Sequence, residues 1–422
     1  MYIRGFSSRN FRTPLCPSAQ IYGNLVAMQD ALLNWIDTQH HRMVSLVTRW
    51  CNINSGSRNL PGLATMLAEL KTAFAPLDGE MKKIAVPPET VIDNTGHAVA
   101  MPLGNALSIR KRPAAPTQVF LCIHMDTVYG PDHTLQTVRQ IDARTLNGPG
   151  VADAKGGICV MLLALEAFEK TEAAKNIGWE VLLTADEELG SPGSAALLTE
   201  SARRNQLGLI FEPAHADGAL VGERKGSGNF TFVIHGKSAH AGRDFHQGRN
   251  AIHAAARLVT ALDDINRSHL GVTVNTGRID GGGPTNIVPD LAIIRSNIRI
   301  PAHLHRQQIE ADLLRIVEVA NQTDGITVEM TGGFNSPPRP MDLATTRLYE
   351  KLAECGRQIN LPITWHASGG VSDANKLAAA GLPVIDTLGP CGGDLHSAEE
   401  FLLTDTLAQR AKLVALFLQS LA

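Results

Sequence analysis

Five short stretches carry side chains that could do chemistry together: His124-Met125-Asp126-Thr127, Asp153 within Asn147-Gly148-Pro149-Gly150-Val151-Ala152-Asp153-Ala154-Lys155-Gly156-Gly157, Asp186-Glu187-Glu188, Glu212-Pro213 and His396. Each has a plain reading alone. A single His or Glu after a strand is usually a solvated loop residue or a helix cap, and Glu-Glu pairs are common on surfaces. Together, His124, His396, Asp153, Glu188 and Glu212 supply two imidazoles and three carboxylates, the donor set of zinc or a similar divalent ion. Gathered without a cation, the acids would repel one another. One carboxylate can bridge, giving two ions ~3.5–4 Å apart, a spacing suited to hydrolysis. The glycine-rich turn also admits a phosphate reading, because such a loop opening a helix cradles nucleotides. That reading fits poorly. There is no G-x-x-x-x-G-K-[ST], and the third glycine of G-x-G-x-x-G is here Asp153, an acid where phosphate would sit.

The elements that must position these residues are short apolar runs. Gln118–Ile123, Trp179–Thr184 and Leu207–Phe211 read as buried strands, and Pro383–Leu388 as a later one. Helix-like stretches, Ile158–Lys170 and Ser194–Arg203, lie between the first three. This alternation predicts an α/β fold with a mixed, largely parallel sheet, whose ligand sites form at the carboxyl ends of the strands. Those ends are where His124, Asp126, Glu187, Glu188, Glu212 and, a few residues on, His396 occur. Upstream, apolar residues recur at helical spacing from Asp30 to Trp50, and Pro61 opens a second helix over Leu60–Phe74. The stretch that follows, rich in Pro, Gly and Asn, reads as loop.

A chain of 422 residues accommodates two or three domains, and 44% apolar with 19% charged residues is ordinary for a globular protein. A formal charge of −3 without a long basic run argues against a nucleic-acid or anionic-membrane partner. Six scattered cysteines with no C-x-x-C favour a reducing compartment, and the expected location is cytoplasmic. Residues 1–27 lack the apolar core of a secretory signal and read as a disordered tail.

The motifs resemble the M20 metallopeptidases, the group of glutamate carboxypeptidases, acetylornithine and succinyl-diaminopimelate deacylases and several dipeptidases. The matching elements are His124-Met-Asp126-Thr-Val, Gly148–Gly157, Asp186-Glu187-Glu188-Leu-Gly-Ser191, Phe211-Glu212-Pro213, Gly236-Lys-Ser-Ala-His240-Ala-Gly242 and His396-Ser, in the family's order and spacing. Glu212 and His-Met-Asp-Thr-Val point toward the glutamate carboxypeptidase branch. The resemblance implies two divalent ions per chain, zinc with cobalt or manganese as alternatives. In it Asp153 bridges both ions, His124 and Glu212 complete one site, and Glu188 and His396 complete the other. Asp126 orients His124, Glu187 is the general base for the attacking water, and the Asp153–Ala154 peptide is cis. One departure is Ala154, where relatives often carry a second Asp.

From Ser227 to about Gly333 the pattern is strand, helix, strand, strand, helix, strand, the ferredoxin-like βαββαβ order. Strand Gly228–His235 alternates Phe230, Phe232 and Ile234 with Thr231, Val233 and His235, so one face packs on helix. The module interrupts the other domain, with Gly222–Gly228 and Gly332–Pro340 as expected hinges. The resulting division is 28–224 and 335–422 as a metal-binding catalytic domain and 225–334 as a lid and dimerisation domain. By resemblance, His240 and Asn286 stabilise the tetrahedral oxyanion, His240 from the partner subunit of a homodimer. Arg299 holds the substrate carboxylate, and Gly370, in Gly369-Gly370-Val-Ser372-Asp373, lines the pocket. The expected activity is hydrolysis of a peptide or N-acyl amide beside a free carboxylate. An N-acyl-amino-acid deacylase, or a silent binding relative, is the alternative.

Overall fold

The computed structural model describes residues 29–422; the tail expected over 1–27 lies outside them. Helical residues 29–38 lead into α1 (His40–Cys51) and α2 (Leu60–Phe74), the latter capped by Asn59, whose side chain accepts from Gly62 N–H. Then come β1 (Glu80–Ile84), β2 (Ala106–Lys111), β3 (Thr117–His124), α3 (Gly157–Phe168), β4 (Ile177–Thr184), α4 (Ala195–Arg204), β5 (Leu207–Ile210) and β6 (Leu220–Arg224). The central part holds β7 (Gly226–His235), α5 (Ala251–Ser268), β8 (Thr273–Gly281), β9 (Leu291–Ile300), α6 (Leu304–Asn321) and β10 (Thr327–Ser336). Near the end lie α7 (Asp373–Ala379), β11 (Val384–Ile385) and α8 (Asp405–Gln419).

The main sheet has the order β1-β2-β4-β3-β5-β11. Its neighbours β4-β3, β3-β5 and β5-β11 are parallel, while β2 runs antiparallel to both β1 and β4. The sheet is mixed and largely parallel, as the alternating runs predict. Its two faces are covered by different layers because successive side chains of a strand point opposite ways. Val119, Leu121 and Ile123 of β3 enter the larger core with α3 and α8, while Phe120 and Cys122 pack with Leu198 of α4 and Leu377 of α7. Helix α3 is buried on nearly every side, which explains a sequence apolar all round rather than on one stripe.

The stretch read as loop after α2 holds more structure than expected. Strands β1 and β2 and a hairpin pairing Glu89–Ile92 with Ala98–Met101 lie there. Strand Glu80–Ile84 is mostly charged and lies at the sheet edge, so it carries no apolar run for a sequence reading to find.

The second sheet, β8-β9-β7-β10, is antiparallel throughout and has the ferredoxin-like order. It owns a separate core, in which Phe230, Phe232 and Ile234 meet Leu258 and Leu262 of α5 and Ile309 and Leu313 of α6. The glycines expected to hinge lie largely inside paired strand: Gly228 opposes Phe334, and Gly332 opposes Phe230. The other sheet face is met by the hairpin, where Arg295 Nη2 donates to Ile92 O at 2.9 Å and Asp93 O at 3.2 Å.

One close approach ties the folding of the core to the strand ends. A Cβ on Gly157, at the start of α3, would lie 1.9 Å from Phe211 O, a backbone atom that cannot rotate aside. Gly157→Ala must therefore push α3 from the end of β5, and overpacking of this kind costs about 1–3 kcal/mol. Urea unfolding should show that loss as a lower midpoint; an unchanged midpoint would mean that the two backbones are free to separate.

Candidate metal centre and cleft

The strand ends converge. Thr184, the last residue of β4, pairs in register with His124, the last of β3, and Ile210, the last of β5, pairs with Cys122. The chain leaving β3 thus begins at His124, that leaving β4 carries Glu187 and Glu188 on a single helical turn, and that leaving β5 carries Glu212. Asp153 arrives on the glycine-rich turn before α3, where Gly150 adopts φ 73°, a left-handed conformation that glycine accepts at little cost. The Asp153–Ala154 peptide is cis. His396 sits on a late loop, itself at φ 62°.

Asp153 stands between the imidazoles and offers each a different oxygen. His124 Nε2 lies 3.0 Å from Asp153 Oδ1 and 3.8 Å from Glu212 Oε2. His396 Nε2 lies 3.4 Å from Asp153 Oδ2 and 3.3 Å from Glu188 Oε2. The groups His124–Asp153–Glu212 and Asp153–Glu188–His396 each hold their donor atoms within 4.8 Å of one another. An ion ~2.0–2.2 Å from tetrahedral nitrogen and oxygen donors sets those donors roughly 3.3–3.6 Å apart, close to the separations observed. Among the described residues Glu188 Oε1 is buried without a hydrogen-bond partner, as an oxygen awaiting a cation would be. The residues fit two divalent ions sharing Asp153.

The electrostatics show what such ions would relieve. Burial and then the charge of Asp153 push Glu188 up to about 7. Burial and Glu212 push Glu187 well above the carboxylate range, and burial also raises Glu212 against the pull of His124. The imidazoles shift upward as well. Hydrogen bonds to Asp153 and Glu188 take His396 up to about 10. Burial opposes the charged form of His124, yet Glu212 and the bonds to Asp126, Asp153 and Glu212 leave it well above its usual value. Asp153 is low because its bonds to both imidazoles outweigh its burial. Raised imidazoles and raised carboxylates together mark an excess of acid that divalent ions would neutralise.

Asp126 is fully buried and acts through the backbone. His124 Nδ1 lies 2.9 Å from the Asp126 carbonyl and 3.5 Å from its carboxylate, so the carbonyl fixes Nδ1 as the donor and leaves Nε2 for a ligand. The carboxylate instead accepts from Ser57 Oγ at 2.7 Å and from the N–H groups of Glu187 and Glu188 at 3.2 and 3.3 Å, which holds the Glu187–Glu188 turn.

A cleft of about 460 Å³ opens over the cluster, lined at one end by Asp153, Glu187, Glu188, Glu212 and His396 and at the other by Arg299 and Asn297. Arg299 donates through Nη1 to Gly369 O at 2.8 Å and through Nε to Asn297 Oδ1 at 3.2 Å; among the described residues it meets no carboxylate in ion-pair range. Gly370 is next to the lining residue Val371 and donates its N–H to Ser368 Oγ at 3.0 Å. His240 and Asn286 are not brought to the cleft. They sit together on the second sheet module, both exposed, with Ala241 N–H donating to Asn286 O at 2.9 Å.

A model of peptidase family M20/M25/M40 matches residues 120–420. The chain belongs to this family. It is a metallopeptidase, and its similarity to individual members is low. It is 26% identical to carboxypeptidase G2 of Pseudomonas sp. (strain RS-16) over 394 residues, 90% of this chain and 89% of that protein. It is 26% identical to a succinyl-diaminopimelate desuccinylase of Hahella chejuensis over 332 residues, 74% of this chain and 84% of that one. Among solved structures, the Bacillus subtilis YXEP protein, a dinuclear metal binding peptidase from the M20 family, shares the fold with a TM-score of 0.62 at 13% identity, covering 91% of this chain and 99% of that chain.

The M20 site also depends on residues that the motifs do not point to. Glu400 is fully buried and accepts from three N–H groups of the Asp153 turn: Gly150 at 3.1 Å, Ala152 at 2.9 Å and Asp153 at 3.0 Å. Ser57 and Lys155 are buried behind the cluster as well. Only the nearness of Glu400 to His396 in sequence could have hinted at its role.

A shared Asp153 makes an asymmetric prediction. Elemental analysis of zinc-saturated protein should give about two ions per chain, Asp153→Ala should lose both, and Glu212→Ala should lose mainly one. Saturation well below one ion in folded wild-type protein would overturn the assignment.

Proposed function

We propose that this M20 peptidase is a di-zinc amidohydrolase that cleaves a peptide or N-acyl amide beside a free carboxylate, in the manner of a glutamate carboxypeptidase. The observation that carries this reading is Arg299. Its guanidinium lies in the same cleft as the acid–imidazole cluster and, among the described residues, is bonded only to neutral oxygens. A half-buried cation without an acid partner is an incomplete ion pair, and a planar fork of donors fits a carboxylate.

His124, Asp153 and Glu212 would hold one ion and Asp153, Glu188 and His396 the other. Two divalent ions so held supply Lewis-acid polarisation of the scissile carbonyl and lower the proton affinity of the attacking water. The chain's own groups do the rest. Glu187, whose pKa burial and Glu212 raise, takes the proton of the attacking water and hands it to the leaving amine nitrogen. Asp126 keeps the Glu187 backbone in place through its N–H. Arg299 fixes the substrate by its carboxylate, so that the neighbouring amide lies over the cluster. Cobalt or manganese would suit the same donors.

The second sheet module is read as a lid and the surface of a homodimer. His240 is exposed and away from its own chain's cleft, which supports its reaching the oxyanion in the partner subunit's site.

Two experiments test the reading. Glu187→Gln should keep its metal while turnover falls at least ~100-fold, the low end for general acid–base catalysis, and mixing these chains with inactive His240→Ala chains should restore part of the activity. Retained turnover would move the base elsewhere; no recovery despite verified subunit exchange would place His240 outside the partner's site. The second compares a substrate with its carboxylate against the same compound as a neutral amide. The wild type should prefer the acid by about two to three orders of magnitude in kcat/KM, and Arg299→Ala should scarcely separate the two. Equal cleavage of both by the wild type would end the carboxylate-anchor reading.

A further inference from the structure

We propose that Lys376 is a second anion-reading group of the cleft, and that the substrate is a dicarboxylate whose second acid meets this ammonium. This holds only on the amide-hydrolase reading above, whose substrate class it narrows.

Lys376 lies on α7, and that helix is firmly anchored. Ser372 Oγ accepts from Ala374 N–H, Asn375 Oδ1 accepts from Ser372 N–H at 3.1 Å, and Asn375 Nδ2 donates to Lys225 O at 3.0 Å and Pro337 O at 2.7 Å. The last two bonds clamp α7 to the segments flanking the second sheet module. Lys376 is 7% exposed and lines the cleft.

An ammonium carries three donors and is costly to bury unsatisfied. Lys376 Nζ has two acceptors, Ser336 Oγ and Asp373 Oδ1, each at 3.4 Å. Both are well beyond the ~2.7–2.9 Å of a good charge-assisted bond. Asp373 is itself shared, accepting from Ser191 Oγ and, at 3.4 Å, from Thr184 Oγ1. The other acids of the cleft wall face elsewhere: Asp153, Glu188 and Glu212 belong to the metal cluster, Glu187 stands beside it, and Glu89 pairs with Arg58. The wall therefore carries two cations: Arg299, which among the described residues meets no carboxylate in ion-pair range, and Lys376, whose one ion pair, with Asp373, is long at 3.4 Å. One substrate carboxylate satisfies one of them. A second carboxylate supplies the third, short acceptor that Lys376 lacks, and a cleft of about 460 Å³ has room for a small diacid.

The second acid can stand on the side chain of the residue bearing the α-carboxylate, or on the acyl group across the scissile bond. Two matched pairs separate these sources: N-benzoyl-glutamate against N-benzoyl-glutamine, and N-succinyl-alanine against N-butanoyl-alanine. With zinc-loaded protein, one pair should show the acid preferred by at least ~10-fold in kcat/KM, the lower end for a hydrogen bond to a charged group. Lys376→Met should bring that ratio to within ~3-fold, and Lys376→Arg should keep part of it. Equal rates within both pairs for the wild type would overturn the proposal and leave the amide-hydrolase reading standing. A Lys376→Met protein that melts lower and loses acid and neutral substrates alike would show Lys376 to be only the structural partner of Asp373. Should no compound be cleaved, the reading of the reaction fails first. Calorimetry of the free acids and their neutral partners, glutamate with glutamine and succinate with butanoate, then decides the proposal: a tighter acid that weakens in Lys376→Met supports it, and equal binding within both pairs overturns it.

Discussion

The candidate site depends on one carboxylate that is not among its metal-ligand candidates. Glu400 gathers three backbone N–H groups of the turn that delivers Asp153, about 250 residues away in sequence. Those groups would otherwise be buried donors without acceptors, since the turn is too tight to satisfy them internally. Two acids are thereby brought close in a poorly solvated place; burial, and then the charge of Asp153, push Glu400 up to about 7. The arrangement is tolerable because each acid has its own donors. Glu400 has the backbone, and Asp153 has His124 on one oxygen and His396 on the other. A cation at either imidazole would strengthen the whole set, since it adds charge of the sign that the turn lacks.

Buried positive charge surrounds this acid-rich centre. Lys155 is 1% exposed and donates to Trp50 O at 3.1 Å and Ile53 O at 2.9 Å, carbonyls at the negative end of α1. Burial lowers its pKa while Cys51, Glu400 and Asp126 resist that shift. On the Glu212 side, Arg224 Nε at 2.6 Å and Arg339 Nη2 at 3.3 Å both donate to Asp386 Oδ2, and the charge of Glu212 also acts on Arg224. Two guanidiniums on one carboxylate leave an excess of positive charge beside the excess of negative charge at the cluster. Charge is balanced across the whole catalytic end of the sheet rather than pair by pair.

How much of this was legible in the sequence follows from where each signal lives. Strands β3, β4 and β5 are buried on both faces, so they stand out as apolar runs, and the residues just past their ends are the ones a parallel sheet brings together. The sheet class and the convergence of His124, Glu188 and Glu212 followed from that local pattern, as did the βαββαβ order of the second module. Edge strand β1 was missed because its charged side chains face water. Glu400 was missed for a different reason: its partners are backbone atoms, which carry no residue identity. Lys376 was hidden in the same way, since a lysine four residues past a serine reads as the exposed face of a helix and only the packing of α7 buries it.

The two ends of the cleft belong to different cores. The acid–imidazole cluster rests on the main sheet, whereas Ser227, Asn229, Asn297, Arg299, Asn335 and Ser336 come from β7, β9 and β10 of the second sheet. On the proposed reading, a substrate spanning the cleft would touch both, so its affinity would depend on their separation, and contacts at Arg299 would favour the arrangement in which the two approach. Asn297 makes this end rigid. Its Nδ2 donates to Ser227 Oγ at 2.9 Å and Asn229 Oδ1 at 2.8 Å while its Oδ1 accepts from Arg299, so the guanidinium is held by β7 as well as by its own strand β9. Arg299 Nη1 in turn reaches Gly369 O, a backbone atom just before α7. The arginine is therefore bonded across the junction between the two cores, and on the proposed reading a carboxylate captured there reports directly on how far apart they stand.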